Sequence, residues 1–227
     1  MKTISAIICV YNEEKTIKDA VSIVCDYFFD EVVVVNDGST DKTDDIMNEL
    51  SKNYELKYIK LKENKGKGFA MATGIENAIG EIIAFVDADL SNLKEDHLFE
   101  LVMPLVHKEA DMILGQATET LIDYSINPFK SFTGERSVLK KDILAIVDKM
   151  KDSKFGIETL INFYYQSEGK KVKYVMLKDL KHPTKFDKVS KRQAIKEFAK
   201  EGHQIALTAF KNFDLITSSI KNKLKSK

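Results

Sequence analysis

The amino-acid sequence predicts an α/β fold, a mostly parallel sheet flanked by helices and followed by a C-terminal helical extension. Short apolar runs alternate with segments of helical period through the first half of the chain. The segments between the runs are long enough to hold the crossover helix that parallel strands require. The runs are nearly continuous in Val and Ile, which is typical of strands covered on both faces.

Five strands with intervening helices are predicted in the first half. Each strand is a short apolar run that ends at a polar turn. The predicted strands span residues 4–10, 31–35, 56–61, 82–86 and 111–114. Helices are predicted after Asn12, after Asp41, after Gly68 and over residues 95–107. Asn12 is a candidate N-cap, with two glutamates expected in the first turn of its helix.

The second half is less regular. Residues 115–133 contain a proline and few apolar periods, which predicts mainly loop. Helices are predicted over residues 139–150 and 156–166, and a strand over residues 171–177. A long pattern of apolar residues at three- and four-residue steps then predicts a C-terminal helix. We therefore divide the chain into a domain of residues 1–190 and a basic amphipathic helix of residues 191–227.

Composition argues against several classes of protein. The 227 residues carry 35 Lys+Arg and 35 Asp+Glu, and this zero net charge disfavours a nucleic-acid-binding protein. Two cysteines do not make a disulfide framework or a zinc cluster. No apolar run approaches the roughly 18 residues of a membrane span. The first strand leads into Tyr11 without a signal-peptide cleavage site, which predicts a cytoplasmic protein.

The charge is unevenly distributed along the chain. Residues 185–227 contain eleven Lys+Arg and four Asp+Glu, an excess of +7. The apolar stripe of this segment has three alternative partners, namely the preceding domain, a second copy in a homodimer, or an anionic membrane surface. Packing or dimerisation is favoured over peripheral membrane contact, because large apolar residues run along most of the stripe.

Polar clusters follow four of the predicted strands, at the edge where parallel sheets bind ligands. Asp87 and Asp89 come directly after a buried strand and suit a hard divalent cation completed by water and phosphate, or a helix-capping turn. Lys67 opens a helix in a Lys-Gly-Lys-Gly segment, which suits phosphate. Asp37 lies in an Asn-Asp-Gly-Ser-Thr-Asp turn, either as a nucleotide contact or in a structural Asx turn.

Further candidates lie in the second half. Glu158 lies in an otherwise apolar helical segment. If that face of the helix is buried, its carboxylate needs a hydrogen-bonding or charged partner, or it has a functional role. The alternative is an exposed helical glutamate. His182 lies in a polar loop after a strand, where a lone histidine is more often without function. Glu135 and Arg136, considered alone, predict a surface ion pair.

Together these clusters resemble the family 2 glycosyltransferases with the GT-A fold, over about residues 3–190. The segment Tyr11-Asn12-Glu13 is similar to the family's Tyr-Asn-Glu segment. Residues 36–41 resemble its Asp-Asp-Gly-Ser turn, and residues 87–89 resemble its Asp-x-Asp metal motif. The order of these motifs at successive strand ends makes the resemblance specific. Asn36 departs from it, because the family carries an aspartate there.

Two branches of that family are the most similar. Residues 64–68 resemble the Gly-Lys-Gly segment of polyprenyl-phosphate glycosyltransferases and of glucosyl-3-phosphoglycerate synthases. Residues 133–137 and 155–158 resemble the acceptor-side segment and the Gly-Val-Glu helix of the second branch. The Gly-rich phosphoglycerate-binding loop of that branch is not recognisable between residues 114 and 131.

The resemblance implies transfer of a hexosyl group from a nucleotide diphosphate sugar, of UDP-glucose or GDP-mannose type, to an acceptor hydroxyl. The implied acceptor is a small phosphorylated acid or, alternatively, a polyprenyl phosphate at the membrane face. The implied donor-binding residues are Tyr11, Glu13, Asp37, Lys67, Asp87 and Ala88. The other implied roles are metal ligands for Mg²⁺ or Mn²⁺ (Asp87, Asp89, His182), catalytic groups (Glu158, Asp89) and acceptor contacts (Thr133, Arg136).

Two alternatives from other classes share some of these features. A nucleotidyltransferase also places a lysine and paired acids near phosphate, but it would usually carry a Gly-rich loop after the first strand. Residues 10–14 occupy that place here and contain no glycine. A sugar-nucleotide-binding module without catalysis would have no physical need for Asp87, Asp89, Lys67 and Glu158 together.

Overall fold

The computed structural model describes residues 2–117, 134–153 and 156–181, together with positions 207, 210–215 and 217–218. Thr133, His182 and most of the C-terminal helical extension lie outside the described residues. The roles predicted for them, and the division of the chain at residue 190, therefore stay predictions.

Within the described residues, seven strands form one sheet. They are β1 (Ile4–Val10), β2 (Glu31–Asn36), β3 (Lys57–Lys60), β4 (Ile82–Asp87), β5 (Met112–Ala117), β6 (Arg136–Leu139) and β7 (Val172–Leu177). Their order across the sheet is β3-β2-β1-β4-β6-β5-β7. Neighbours are parallel except around β6, which runs antiparallel to β4 and to β5. The predicted mostly parallel sheet is confirmed, with shifts of a few residues at strand ends.

Helices cover both faces of this sheet. They are α1 (Ile17–Cys25), α2 (Thr43–Asn53), α3 (Lys67–Asn77), α4 (Glu95–Val106), α5 (Lys140–Ile143), α6 (Val147–Lys151) and α7 (Ile157–Ser167). Side chains of α3, α6 and α7 form one core cluster with the sheet, and those of α1 and α2 form another. Ile7 and Ile8 of β1 belong to opposite clusters because side chains alternate along a strand.

The strand β6 was not predicted. It is four residues long, and it begins with Arg136 and Ser137, both of which are fully buried. A charged residue in so short a run conceals the apolar pattern that identifies a buried strand. The correction matters for the site, because β6 lies beside β4 and brings the residues before it to the carboxyl end of that strand.

Three other local predictions need correction. Asn12 does not cap α1, which begins at Ile17; Asn12 instead has a positive φ of 56°. The helix predicted over 139–150 is interrupted by a 3₁₀ turn at Leu144–Ile146, among β-branched residues of low helix propensity. Residues 115–117 belong to β5 rather than to a loop.

The C-terminal segment packs on the domain where it is described. Most described positions between Leu207 and Ser218 are helical. Leu215 packs against the core cluster that contains α6 and α7, and Lys149 Nζ of α6 lies 4.0 Å from Asp214 Oδ2. Of the three predicted alternatives, packing on the domain is therefore observed for this part. No helix among the described residues is long and apolar enough to cross a membrane.

Candidate functional site

Two polar turns are joined at the carboxyl ends of β1 and β2. Thr40 N–H donates to Asn12 Oδ1 at 2.8 Å, and Asn12 N–H donates to Ser39 Oγ at 3.0 Å. Glu13 N–H donates to Thr43 Oγ1 at 3.0 Å. These reciprocal bonds explain the positive φ of Asn12, and they hold the predicted donor-binding segment around Glu13 against the turn after β2.

Asp37 anchors the glycine-containing segment before α3. Its side chain is buried, and its two carboxylate oxygens accept the backbone N–H groups of Lys65 and Gly66, each at 2.8 Å. Burial raises the pKa of Asp37, and the two N–H groups oppose that shift. Gly66 has φ 97°, a conformation that glycine adopts without strain. Asp37 therefore has a structural task in addition to its predicted contact with the nucleotide.

Lys67 is the centre of the site. Its Nζ lies 2.9 Å from Asp87 Oδ1 and 3.0 Å from Glu158 Oε1. Burial alone would lower the pKa of Lys67, but the two carboxylates outweigh it and raise the pKa well above its ordinary value. The lysine is therefore protonated. Three residues singled out separately in the sequence, from α3, β4 and α7, converge on one charge network.

Gly134 lies against the carboxylate of Asp87. A Cβ at position 134 would overlap Asp87 Oδ2 and would stand 2.5 Å from Asp87 Cγ. No residue with a side chain can occupy this place without moving Asp87. The glycine of the acceptor-side segment was visible in the sequence, but its role was not predicted, because the approach of β6 to β4 was not.

Arg136 is a fully buried cation beneath the network. Its Nη1 lies 3.5 Å from Asn162 Oδ1 on α7. Burial lowers the pKa of Arg136, while the charges of Glu158, Asp87 and Glu135 oppose that change. The predicted surface ion pair of Glu135 and Arg136 is wrong, because both side chains are buried. The contact of Arg136 with an acceptor stays a prediction, and Asn162 is a partner that the sequence did not indicate.

Asp89 and Ala88 form the turn after β4, in which Ala88 is buried. Two residues beyond Asp89, Ser91 pairs with Lys181 through N–H···O contacts of 2.9 and 3.1 Å. The chain that reaches Lys181 is thereby brought back to the turn that carries the Asp-Ala-Asp motif. This pairing follows from long-range contacts and was not predicted.

The carboxylates fit part of a site for a hard divalent cation. Asp87 and Asp89 offer the oxygen ligands that Mg²⁺ and Mn²⁺ prefer, and such ions usually complete their shell with water and phosphate. Among the described residues, no group of three or more His, Cys, Asp or Glu is arranged to hold a metal ion. Asp87 and Asp89 are therefore, among the described residues, at most two of the ligands that such an ion would need.

Tyr58 supports the turn after β2 and was not predicted. Its hydroxyl accepts a hydrogen bond from Asn36 Nδ2 at 2.7 Å and donates one to Asp44 Oδ1 at 2.6 Å. Asn36 Oδ1 in turn accepts the N–H of Ser39 at 2.9 Å. Asn36, which stands where the resemblance expects an aspartate, is therefore a buried structural amide here.

Comparison with known proteins identifies the family. Residues 5–143 of the 227 match the model of Glycosyl transferase family 2. The chain belongs to this family. This family 2 chain is 39% identical over 88 residues to poly-beta-1,6-N-acetyl-D-glucosamine synthase of Staphylococcus epidermidis, covering 38% of the chain and 21% of that protein. It is also 36% identical over 115 residues to glycosyltransferase GlyA of Streptococcus pneumoniae. That match covers 49% of this chain and 16% of GlyA. The matches thus span between about a sixth and about a fifth of these relatives' length.

Solved structures confirm the GT-A fold of this family 2 chain. Glucosyl-3-phosphoglycerate synthase from Mycobacterium tuberculosis, in complex with Mn²⁺, UDP and glucosyl-3-phosphoglycerate, superposes with a TM-score of 0.71. It is 19% identical, and the match covers 92% of this chain and 79% of the synthase. TarS of S. aureus superposes with a TM-score of 0.63 and is 19% identical. That match covers 92% of this chain and 72% of the TarS chain. At this identity the likeness is one of fold.

Proposed function

We propose that this chain transfers a hexosyl group from a nucleotide diphosphate sugar to an acceptor hydroxyl, with the help of a divalent cation. The observation that carries the proposal is the contact of Lys67 with both Asp87 and Glu158 at the carboxyl edge of the sheet. Its relatives in sequence are sugar-transferring enzymes, and a structural relative was crystallised with Mn²⁺ and UDP.

Lys67 is suited to the diphosphate of the donor. It is the first residue of α3, where backbone N–H groups and the helix dipole already favour an anion. Asp37 fixes the two residues before it, so the approach to this helix terminus is rigid. Diphosphate oxygens would compete with Asp87 and Glu158 for the lysine. Donor binding would therefore free both carboxylates for other tasks.

Asp87 and Asp89 are the proposed protein ligands of Mg²⁺ or Mn²⁺, together with His182. The pairing of Ser91 with Lys181 supports the third ligand, because Lys181 directly precedes His182 in sequence. When bound, a divalent cation neutralises negative charge on the departing diphosphate. Tyr11, Glu13 and Ala88 remain the proposed contacts to the rest of the nucleotide sugar.

Glu158 is the proposed general base or acceptor-positioning group. Its side chain is only 15% exposed, and its carboxylate contacts Lys67 Nζ. Once the lysine turns to the diphosphate, Glu158 would be able to accept a proton from an acceptor hydroxyl within hydrogen-bond reach. The proposed acceptor is a small phosphorylated acid, as in the structural relative, with Thr133 and Arg136 as its contacts. A polyprenyl phosphate is the alternative acceptor.

Ligand-induced thermal stabilisation tests the donor. UDP- and GDP-sugars are screened with and without Mn²⁺, because a ligand that binds the folded state raises Tm. We expect one donor class to raise Tm in a Mn²⁺-dependent manner. Asp89→Asn should abolish the Mn²⁺ dependence, whereas Asp148→Asn, at a side chain that is 94% exposed, should preserve it. Stabilisation that is equal for both variants would contradict the metal assignment.

Product analysis then tests the reaction. We expect release of UDP or GDP when the stabilising donor is incubated with 3-phosphoglycerate or with a polyprenyl phosphate. Release of pyrophosphate in a separate incubation of UTP or GTP with a sugar 1-phosphate would instead assign the chain to the nucleotidyltransferases. Donor binding with no nucleoside diphosphate released with either acceptor would favour a sugar-nucleotide-binding module.

A further inference from the structure

The C-terminal segment presents large apolar side chains to solvent. Leu207, Phe210 and Phe213 are 38%, 80% and 63% exposed. Their spacing of three residues places them along one side of a helix, and we call them the exposed stripe. Single exposed apolar side chains are common on protein surfaces, but several aligned on one side of a helix form a patch of the kind that marks a contact surface. The stripe is separate from the Lys67 network and has no part in the proposed transfer reaction.

The segment is docked through its other side. Leu215 packs against the core, and Asn212 is buried. These contacts orient the helix so that the exposed stripe points away from the domain. The stripe is therefore not the face by which this segment packs on its own domain.

The segment that carries the stripe is rich in basic residues. Lys211 is exposed next to Phe210, and residues 185–227 carry eleven Lys+Arg against four Asp+Glu. The one acid among the described positions from 207 to 218 is Asp214, which is 68% exposed and lies 4.0 Å from Lys149 Nζ. Exposed aromatic residues combined with a local excess of +7 are the features of a helix that lies on an anionic bilayer.

We propose that the exposed stripe docks on an anionic lipid surface. Phe210 and Phe213 enter the interface between headgroups and acyl chains, and the excess positive charge of the segment attracts it to the lipid phosphates. A second copy of the chain is a poorer partner. A two-fold contact between identical stripes would bring two segments of +7 together and would oppose association.

Vesicle co-sedimentation of the full chain tests this proposal without donor or acceptor, so its outcome does not depend on the proposed transfer. We expect binding to phosphatidylcholine vesicles that contain phosphatidylglycerol, loss of binding at high salt, and little binding to phosphatidylcholine alone. Phe210→Ser combined with Phe213→Ser should weaken binding by about tenfold or more, because two large apolar side chains are removed from the interface.

A matched control distinguishes binding through the exposed stripe from nonspecific hydrophobic binding. Phe99→Ser and Ile79→Ser alter side chains that are 50% and 72% exposed elsewhere, and both variants should bind like wild type. All variants should keep the wild-type Tm, since the altered residues are exposed. Absence of wild-type binding to anionic vesicles, or full binding by the double serine variant, would overturn the proposal. Light scattering that shows a dimer dissociated by the same variant would assign the stripe to a second copy.

Discussion

Lys67 Nζ lies 3.0 Å from Glu158 Oε1, and this contact joins the start of α3 to the start of α7 across the carboxyl edge of the sheet. The same ammonium group contacts Asp87 at the end of β4. The two acids, which would repel one another, are held together by a lysine whose pKa their charges raise. The chain's own charges thus hold the network together, and in the proposed reaction the donor diphosphate would compete with the two acids for Lys67.

A double-mutant cycle measures this contact. Lys67→Met, Glu158→Gln and the double variant should give a coupling of about 0.5–3 kcal/mol in urea unfolding, as for groups in one ion-pair network. Partial exposure of the pair argues for the lower part of that range. The control is Lys173 and Glu109, both 44% exposed, whose coupling should be smaller because solvent screens an exposed ion pair. A coupling no larger than that of the control would contradict the assigned role.

Gly134→Ala should displace Asp87. The added methyl group overlaps the carboxylate, and a shift of about 1 Å in a positioned group can cost as much as 10²-fold in rate. We expect a lower transfer rate and a higher Mn²⁺ concentration at half-maximal rate. Gly74→Ala is the control, because its Cβ would stand 2.5 Å from Ile7 Cγ2 in the core. That variant should lower Tm and leave the Mn²⁺ dependence unchanged, and the same outcome for Gly134→Ala would refute the prediction.

Asp37→Asn should loosen the segment before α3. An amide can accept only one of the two N–H groups that the carboxylate accepts, and it presents its own N–H to the other. Leaving a buried donor unsatisfied costs about 1–3 kcal/mol, which denaturant unfolding would detect. Donor-induced stabilisation should fall as well, because Lys67 follows this segment directly. Asp148→Asn serves as the exposed control and should change neither quantity.

The environment of Asp44 leads us to expect a lower free energy of unfolding at acid pH. The side chains of Lys60 and then Tyr58, each at 2.6 Å, hold the pKa of Asp44 below its ordinary value of 3.8. A carboxyl with a lower pKa in the folded state stabilises the protein above its ordinary pKa, and this contribution is lost as pH falls through the folded value. Wild type should therefore lose more unfolding free energy than Asp44→Asn between about pH 6 and pH 3. Equal losses would show that the Lys60 contact is too exposed to matter.

The local pattern of apolar and polar residues was sufficient to predict much of the fold. The bounds of β1 were predicted to the residue, and the other predicted strands were found within a few residues of their places. The β6 strand was missed because its first residue, Arg136, is a charge in a fully buried run. Asn12 was assigned to a helix cap because asparagine suits that position, but its partner proved to be Thr40 in the neighbouring turn.

The residues that carry charge at the ends of the strands could be recognised from the amino-acid sequence, because the alternation of apolar runs and polar turns is a local property. The sequence therefore singled out Asp37, Lys67, Asp87 and Glu158 one by one. The three-dimensional arrangement was needed to see that Lys67 holds Asp87 and Glu158 together, that Asp37 fixes the backbone before α3, and that Gly134 makes room for Asp87. These contacts join segments far apart in the chain, and they depend on which strands and helices become neighbours. No periodicity along a sequence encodes that adjacency.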